Sequence, residues 1–398
     1  MFVYILLFVY ILLLIIKYDV LGHNPLNSKW ANKHFTILEV LFVLVAGLSY
    51  RIGIDSAGYM DAFPQYPTFS NFSLLDLSDY RHEPLWVLLN IFDRSTFNDF
   101  VFINLFCSIS INIFLFKLFK QECKYPFTAI LLYFLIGWIN VSFEMLRQTF
   151  ATAFYLWGCL ALLRGNRKSF IWRSVPAVFF HTTGIILVLV TIVFSFIKSN
   201  KSVLIISIVV FFIGLGLRNY LPDFVDTVNM FSGDIGDKYV AYMEQALYSR
   251  SNFFGMLEMF VLNVLLPVSV IMYYQRIGAN PFFTSLLLVY LFFASLIPAF
   301  GIFYRLTNSV QFFYYIGFAN MLHGLIRSKR SSVVLIAASI LMLYNINLSF
   351  GSLVMGRHNT FEYNGKDIRY FPYSSVISKE TLPQREARYN NERTIYKW

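Results

Sequence analysis

The sequence predicts an all-helical protein that crosses a membrane about 11–12 times, and three observations predict it. Of its 398 residues, 57% are hydrophobic and only 14% charged, where a soluble domain carries about 25% charged residues. Mean hydropathy is +0.59. The apolar residues also gather into runs near the length of about 20 residues that a helix needs to cross a hydrocarbon core of about 30 Å. The 44 Phe and 26 Tyr fit the same class, because Phe packs spans or faces lipid and Tyr at span ends suits the interface.

Candidate spans are residues 2–17, 35–50, 98–119, 125–142, 147–164, 202–217, 254–274, 281–299, 306–326 and 332–350. The first has no basic flank before it and no small-residue cleavage site after it, so it reads as a retained span rather than a signal peptide. Residues 84–95 hold too few apolar positions to cross, and a short re-entrant or interfacial helix is expected from Pro84, a residue suited to a first helical turn. Residues 169–197 are too long for one ordinary span and short for two. The run breaks at 180–184, where His181, Thr182 and Thr183 interrupt it.

Charge decides how that segment is read. Lys17, Lys29 and Lys33, Lys117, Lys120 and Lys124, Arg164, Arg167 and Lys168, Lys198 and Lys201, Arg276, and Arg327, Lys329 and Arg330 fall in one set of connections, against Asp19 and Glu122. The other set, loops 51–97 and 218–253, carries more acid than base. The positive-inside rule puts the basic set in the cytoplasm. The two sets alternate only if 169–197 makes two short passes turning near His181 at the outer face. Residues 1–350 then form one integral-membrane domain with outer loops 51–97 and 218–253, and 351–398 form a polar outer tail.

The net charge of +10 reflects those basic loops rather than a nucleic-acid partner. Cys107, Cys123 and Cys159 have no paired spacing, so neither a disulfide framework nor a thiolate metal site follows. The six histidines are scattered without metal-ligand spacing, and no metal or cofactor is expected. Glycine-rich phosphate loops, Walker-type sequences and a Ser–His–Asp signature are missing, so nucleotide hydrolysis is not supported.

Residues 50–86 are the polar centre of the chain, with Arg51, Asp55, Tyr59, Asp61, Asp76, Asp79, Arg81, His82 and Glu83 between nearly uncharged spans. Under the topology above, Arg51, Glu83, Arg147, His181 and Arg305 reach the outer face from five segments. Arg147 follows Glu144, Met145 and Leu146 at a span start; it reads either as a local Glu144–Arg147 pair at i,i+3 or as a guanidinium facing a polar cavity. Arg305 follows a Pro298 to Gly301 break and Tyr304, the pattern of a span end that lines a cavity or of a snorkelling side chain. His181 is either a packing residue or a neutral imidazole able to accept a proton or orient a phosphate. Glu83 before Pro84 either caps the short helix or serves as a general base at the membrane surface.

Taken together, Arg51-Ile52-Gly53-Ile54-Asp55 with Tyr59, His82-Glu83-Pro84, Leu146-Arg147-Gln148 with Ala151, Phe180-His181, and Tyr304-Arg305 before an aromatic run resemble the EpsG-like group of Wzy polysaccharide polymerases. The resemblance covers about residues 50–315 in order and rough spacing, and Pro372-Tyr373 in the tail adds to it. It implies a bacterial inner-membrane O-antigen or capsule polymerase with a GT-C-like helical fold. Such an enzyme moves a growing glycan from undecaprenyl diphosphate onto a fresh lipid-linked repeat unit at the periplasmic face. A chain-length regulator protein is a further partner that the resemblance admits.

For that reaction Arg147 and Arg305, with Arg51, are expected to stabilise the leaving diphosphate, since guanidinium matches phosphate oxygens with paired planar donors. The base for the acceptor hydroxyl stays open among Glu83, Asp55 and His181. Tyr59, Trp86 and Tyr304 are expected to pack on sugar faces, with His82, Glu144 and Gln148 as further substrate contacts. Two other readings remain: a flippase or transporter for an anionic lipid, which intramembrane arginine and a broken span also fit, and an O-antigen ligase using the same donor. No inverted repeat between the halves supports the transporter.

Overall fold

The computed structural model describes residues 2–22, 28–73, 77, 80, 82–197, 200–217, 253–298, 303–328, 332–351, 362–363 and 366–396. Asp76, Asp79, Arg81, most of the 218–253 loop and the 299–302 break lie outside the described residues. The chain is nearly all helical, as the sequence predicts, with a two-residue antiparallel pair, Glu362–Tyr363 with Lys366–Asp367, as its described strands. Among the described residues, four helical stretches, Phe2–Val20, Lys29–Gly47, Val101–Glu122 and Phe253–Arg276, are long and apolar enough to cross a membrane. Shorter apolar helices accompany them at Pro126–Gly137, Thr183–Phe196, Leu204–Gly216, Pro281–Leu296 and Leu335–Phe350.

The helices are α1 (Phe2–Leu14, continued by a π-helical turn to Val20), α2 (Lys29–Gly47), α3 (Ile54–Ala62), α4 (Pro84–Thr96), α5 (Val101–Glu122) and α6 (Pro126–Leu132). They continue with α7 (Leu146–Leu162), α8 (Arg167–Phe180), α9 (Thr183–Phe196), α10 (Asn200–Leu217), α11 (Phe253–Phe260) and α12 (Leu266–Arg276). The last four are α13 (Pro281–Leu296), α14 (Phe303–Ser328), α15 (Ser332–Ile346) and α16 (Pro383–Tyr396). Two compact units result, Met1–Val188 with Ile346–Trp398, and Leu189–Asn345.

In the first unit α2 packs on α5, α5 on α7, and α7 along α8. Between spans, lipid tails are as apolar as the side chains, so association rests on van der Waals packing and small residues at close approaches. Phe42 of α2 lies 5.2 Å from Trp138 and 5.7 Å from Tyr133, ring centre to ring centre, each such pair stabilising by about 0.5–1.5 kcal/mol beyond area. Gly158 of α7 faces α8 so closely that a Cβ there would fall 2.0 Å from Ser174 Oγ and 2.8 Å from the Phe170 carbonyl. At the far end of α1, buried Asp19 accepts from the Thr128 amide at 2.6 Å and its hydroxyl at 2.8 Å, placing a carboxylate on the first turn of α6.

Neighbouring contacts orient the bundle. Ser108 Oγ of α5 donates to the Val43 carbonyl of α2, Cys107 approaches the Leu146 carbonyl, and Phe150 stacks on Phe180 at 4.8 Å. The end of α2, the starts of α5 and α7, and the end of α8 therefore share one end of the bundle. Lys29, Lys33, Lys120, Lys124, Arg164 and Arg167 sit at the other.

Helix α4 starts at Pro84 as expected, and its 13 residues span about 20 Å at 1.5 Å each, short of a hydrocarbon core. Trp86, Val87, Asn90, Ile91 and Asp93 make its buried face, while Phe92 is exposed, the one-sided pattern of an interfacial helix. The 169–197 segment folds as α8 and α9, parting at His181 and Thr182.

In the second unit α10 packs on α13, and α12 and α13 pack on α14. Tyr290 stacks on Tyr314 at 4.8 Å, and the Asn320 side-chain amide donates to the Tyr274 hydroxyl at 2.7 Å, an interhelical polar contact of the kind spans use.

Candidate active site

The cluster forms where the backbone between α6 and α7 leaves regular helix. Two π-helical turns, Tyr133–Gly137 and Asn140–Glu144, precede Met145, whose φ of −112° and ψ of 46° interrupt the helix before α7 begins. Such interruptions are tolerated at membrane depth when side chains take up the released carbonyls. Here the Thr149 hydroxyl donates to the Val141 carbonyl at 2.6 Å. The break puts Glu144 and Arg147 in different settings, so each finds a distant partner in place of the i,i+3 pair.

Arg147 opens α7 and reaches across to the 50–86 stretch. Its Nη1 donates to Glu83 Oε2 at 2.5 Å and its Nε to the Tyr59 hydroxyl at 2.9 Å. Glu83 is the residue before α4, yet its side chain makes no cap bond to that helix. Its second oxygen accepts the Thr182 amide at 3.1 Å, tying α4, α7 and the α8–α9 turn together. Both members of the pair are largely withdrawn from water, 17% of the Arg147 side chain and 14% of the Glu83 side chain being exposed. Burial alone would raise the Glu83 carboxyl; Arg147, then His181 and the Thr182 amide, outweigh it and hold it below the usual carboxylate range.

Aromatic rings wall this pair. Tyr59 is buried, its ring 4.9 Å from Trp86 and 6.1 Å from His82, and the Arg147 guanidinium also lies 5.6 Å from the Tyr59 ring centre. His82 exchanges a hydrogen bond with the Tyr66 hydroxyl through Nδ1 at 3.1 Å. Trp86 is fully buried against Phe150, and Gln148 is buried in α7 beside Arg147. His181 Nδ1 accepts the Thr183 amide at 3.2 Å and faces the Thr183 hydroxyl at 2.8 Å. An Nδ1 that accepts from a backbone N–H leaves the proton of the neutral ring on Nε2, so neutral His181 presents Nε2–H as a donor.

The remaining sequence candidates are placed differently. Glu144 Oε2 accepts the amides of Ile54 and Asp55 at 2.9 and 3.2 Å, and Oε1 accepts the Tyr370 hydroxyl at 2.5 Å. Asp55 is half-buried in the first turn of α3. Arg51, with φ of 50°, pairs with Asp61 and with Glu386 of the C-terminal segment. Tyr304 and Arg305 belong to the second unit, where both are half-buried in the first turn of α14.

The sequence reading did not single out the tail residues Tyr370, Glu386 and Tyr389, nor Thr182 as a donor to Glu83. The Pro372-Tyr373 pair was the tail's one visible signal, and Tyr373 does dock there, its hydroxyl on the Val45 carbonyl at 2.9 Å. Among the described residues no three His, Cys, Asp or Glu side chains group as metal ligands.

No curated protein and no solved structure matches the chain. A family model described as the EpsG family matches residues 32–374, from α2 through the tail segment that docks beside the Arg147 cluster. The chain therefore belongs to the EpsG family.

Proposed function

We propose that this membrane protein polymerises polysaccharide by transferring a growing glycan from undecaprenyl diphosphate to a sugar hydroxyl of a new lipid-linked repeat unit, on the non-cytoplasmic face. Family membership supports a polymerase-like role. The observation that carries the finer reading is Arg147, a largely buried guanidinium held at a bundle end by one carboxylate, one phenol and a wall of aromatic rings.

In the proposed step the acceptor oxygen bonds to the donor's anomeric carbon, the bond from that carbon to phosphate oxygen breaks, and the diphosphate leaves with the electron pair. Charge develops on the leaving oxygen, and preformed donors aimed there are the largest single source of acceleration in such sites. Arg147 offers paired N–H groups, and Nε2–H of His181 adds a second donor. Phosphate oxygens compete with Glu83 for Arg147. As they take the guanidinium, Glu83 loses the partner that holds its carboxyl down, and burial then moves it toward the basicity needed to accept the acceptor's proton. Asp55 is the second carboxylate proposed for that proton. Tyr59 and His82 are proposed to face the sugars; Trp86, expected from the sequence to do so too, is fully buried and backs the Tyr59 ring instead. Arg305 and Tyr304 keep the roles that the sequence reading assigns them, leaving-group stabilisation and sugar packing, on the second unit.

The test is incubation of the purified protein with lipid-linked repeat units. Chain growth without any other acceptor supports polymerisation; transfer only to lipid A makes it a ligase; lipid movement without bond formation makes it a transporter.

A further inference from the structure

We infer that Glu144 and Tyr370 are positioning residues, which hold the start of α3 so that Tyr59 meets Arg147 and thereby make the C-terminal segment part of the transfer machinery; the inference rests on the polymerase reading. Neither side chain touches Arg147 through a described hydrogen bond. Glu144 spends one oxygen on the first two amides of α3 and the other on Tyr370. A carboxylate at a helix N-terminus satisfies donors that have no partner within the helix and complements its dipole.

The loop before α3 has little room to settle elsewhere. Gly53 has φ of 84°, and a Cβ there would stand 2.1 Å from the Phe143 carbonyl oxygen, so the loop lies directly on the π-helical turn that carries Glu144. The Gly53 amide donates to the Arg369 carbonyl at 3.2 Å, and the Tyr389 hydroxyl donates to the Arg51 carbonyl at 3.0 Å. Ser49 and Ser375 bridge as adjacent strands do, and the Val376 amide donates to the Leu48 carbonyl at 2.9 Å. Tyr370 and Tyr389 are buried in this contact. From Ile54 to Tyr59 the chain is uninterrupted helix, so a shift at its first amides is carried to the phenol that meets Arg147.

Misplacing a reacting group by about 1 Å costs about 100-fold in rate. The experiment compares purified full-length variants on lipid-linked repeat units, with hydrogen–deuterium exchange of α3 as a substrate-free readout. Tyr370→Phe removes one hydroxyl and is expected to lower kcat about tenfold, keep KM within about twofold, and speed exchange across residues 54–62. Glu144→Ala is expected to lose about 100-fold in kcat. Glu144→Gln still accepts the α3 amides through its amide oxygen and is expected to retain most activity.

The inference is overturned if Tyr370→Phe leaves kcat and α3 exchange unchanged. It is also overturned if Glu144→Gln raises KM at constant kcat, because that marks a substrate contact. Failure of the polymerase reading looks different: the unmodified protein would build no chains from lipid-linked repeat units, whatever α3 exchange does.

Discussion

Arg51 and Arg147 are both loop-or-helix-end arginines of the first unit, and their side chains are almost equally withdrawn from water, 13% and 17% exposed. Their partners separate them. Arg51 is held by two carboxylates, Asp61 and Glu386, each through two of its N–H groups, which leaves the trio net negative. Arg147 meets a single carboxylate among the described residues and a neutral phenol, so that cluster is neutral before an anion arrives. Under the proposed function, an anionic headgroup is expected to be repelled by the first arrangement and to exchange with the second. Burial is therefore a poor guide to which arginine acts on a ligand, and the count of carboxylates around it is a better one.

The strongest way to break this contrast is Arg147→Ala. It should lower polymer formation about 100- to 1,000-fold, the loss typical of one donor to a developing oxyanion, and leave single-repeat lipid products on a gel. Arg147→Lys should restore only part, since an ammonium lacks the planar fork. Arg305→Ala extends the test to the second unit and should likewise shift products toward single repeats, about tenfold or more.

Glu83→Gln should lower kcat about tenfold or more. It should also change the acid limb of stability. The Glu83 carboxyl is depressed in the fold, so its contribution is present above the unfolded value of about 4.3 and is lost as pH falls through the folded value. Melting followed from pH 7 down to below 4 should show that loss in the native protein and a flatter curve in Glu83→Gln. The smallest effect is expected at Arg51→Gln, a few-fold in rate with about 1 kcal/mol in stability, because its partners are partly solvated. If Arg51→Gln abolishes polymer while Arg147→Ala does not, the comparison is inverted.

The sequence by itself determined the class of the protein and much of its helical punctuation. Apolar run length marks the spans, Pro84 marks the start of α4, and the polar break at His181 and Thr182 marks the parting of α8 and α9. Each of these is a local property, set by backbone chemistry and side-chain solubility within one or two turns. Charge segregation added an expectation of which helix ends belong together, because basic residues favour one side of a membrane.

Tertiary structure alone decided whom each charged group meets. Arg147 finds Glu83 64 positions away, Tyr370 finds Glu144 226 away, and Arg51 finds Glu386 335 away. Nothing in local spacing encodes such pairings. The nearest carboxylate in sequence, Glu144, was a plausible mate for Arg147 until the Met145 break turned the two apart. The tail looked merely polar in sequence because its buried groups, Tyr370 and Tyr389, find partners on the backbone and carboxylate of the distant segment on which they dock. Desolvated charges and polar groups must find partners; the fold chooses which, by bringing distant helix ends within hydrogen-bond reach.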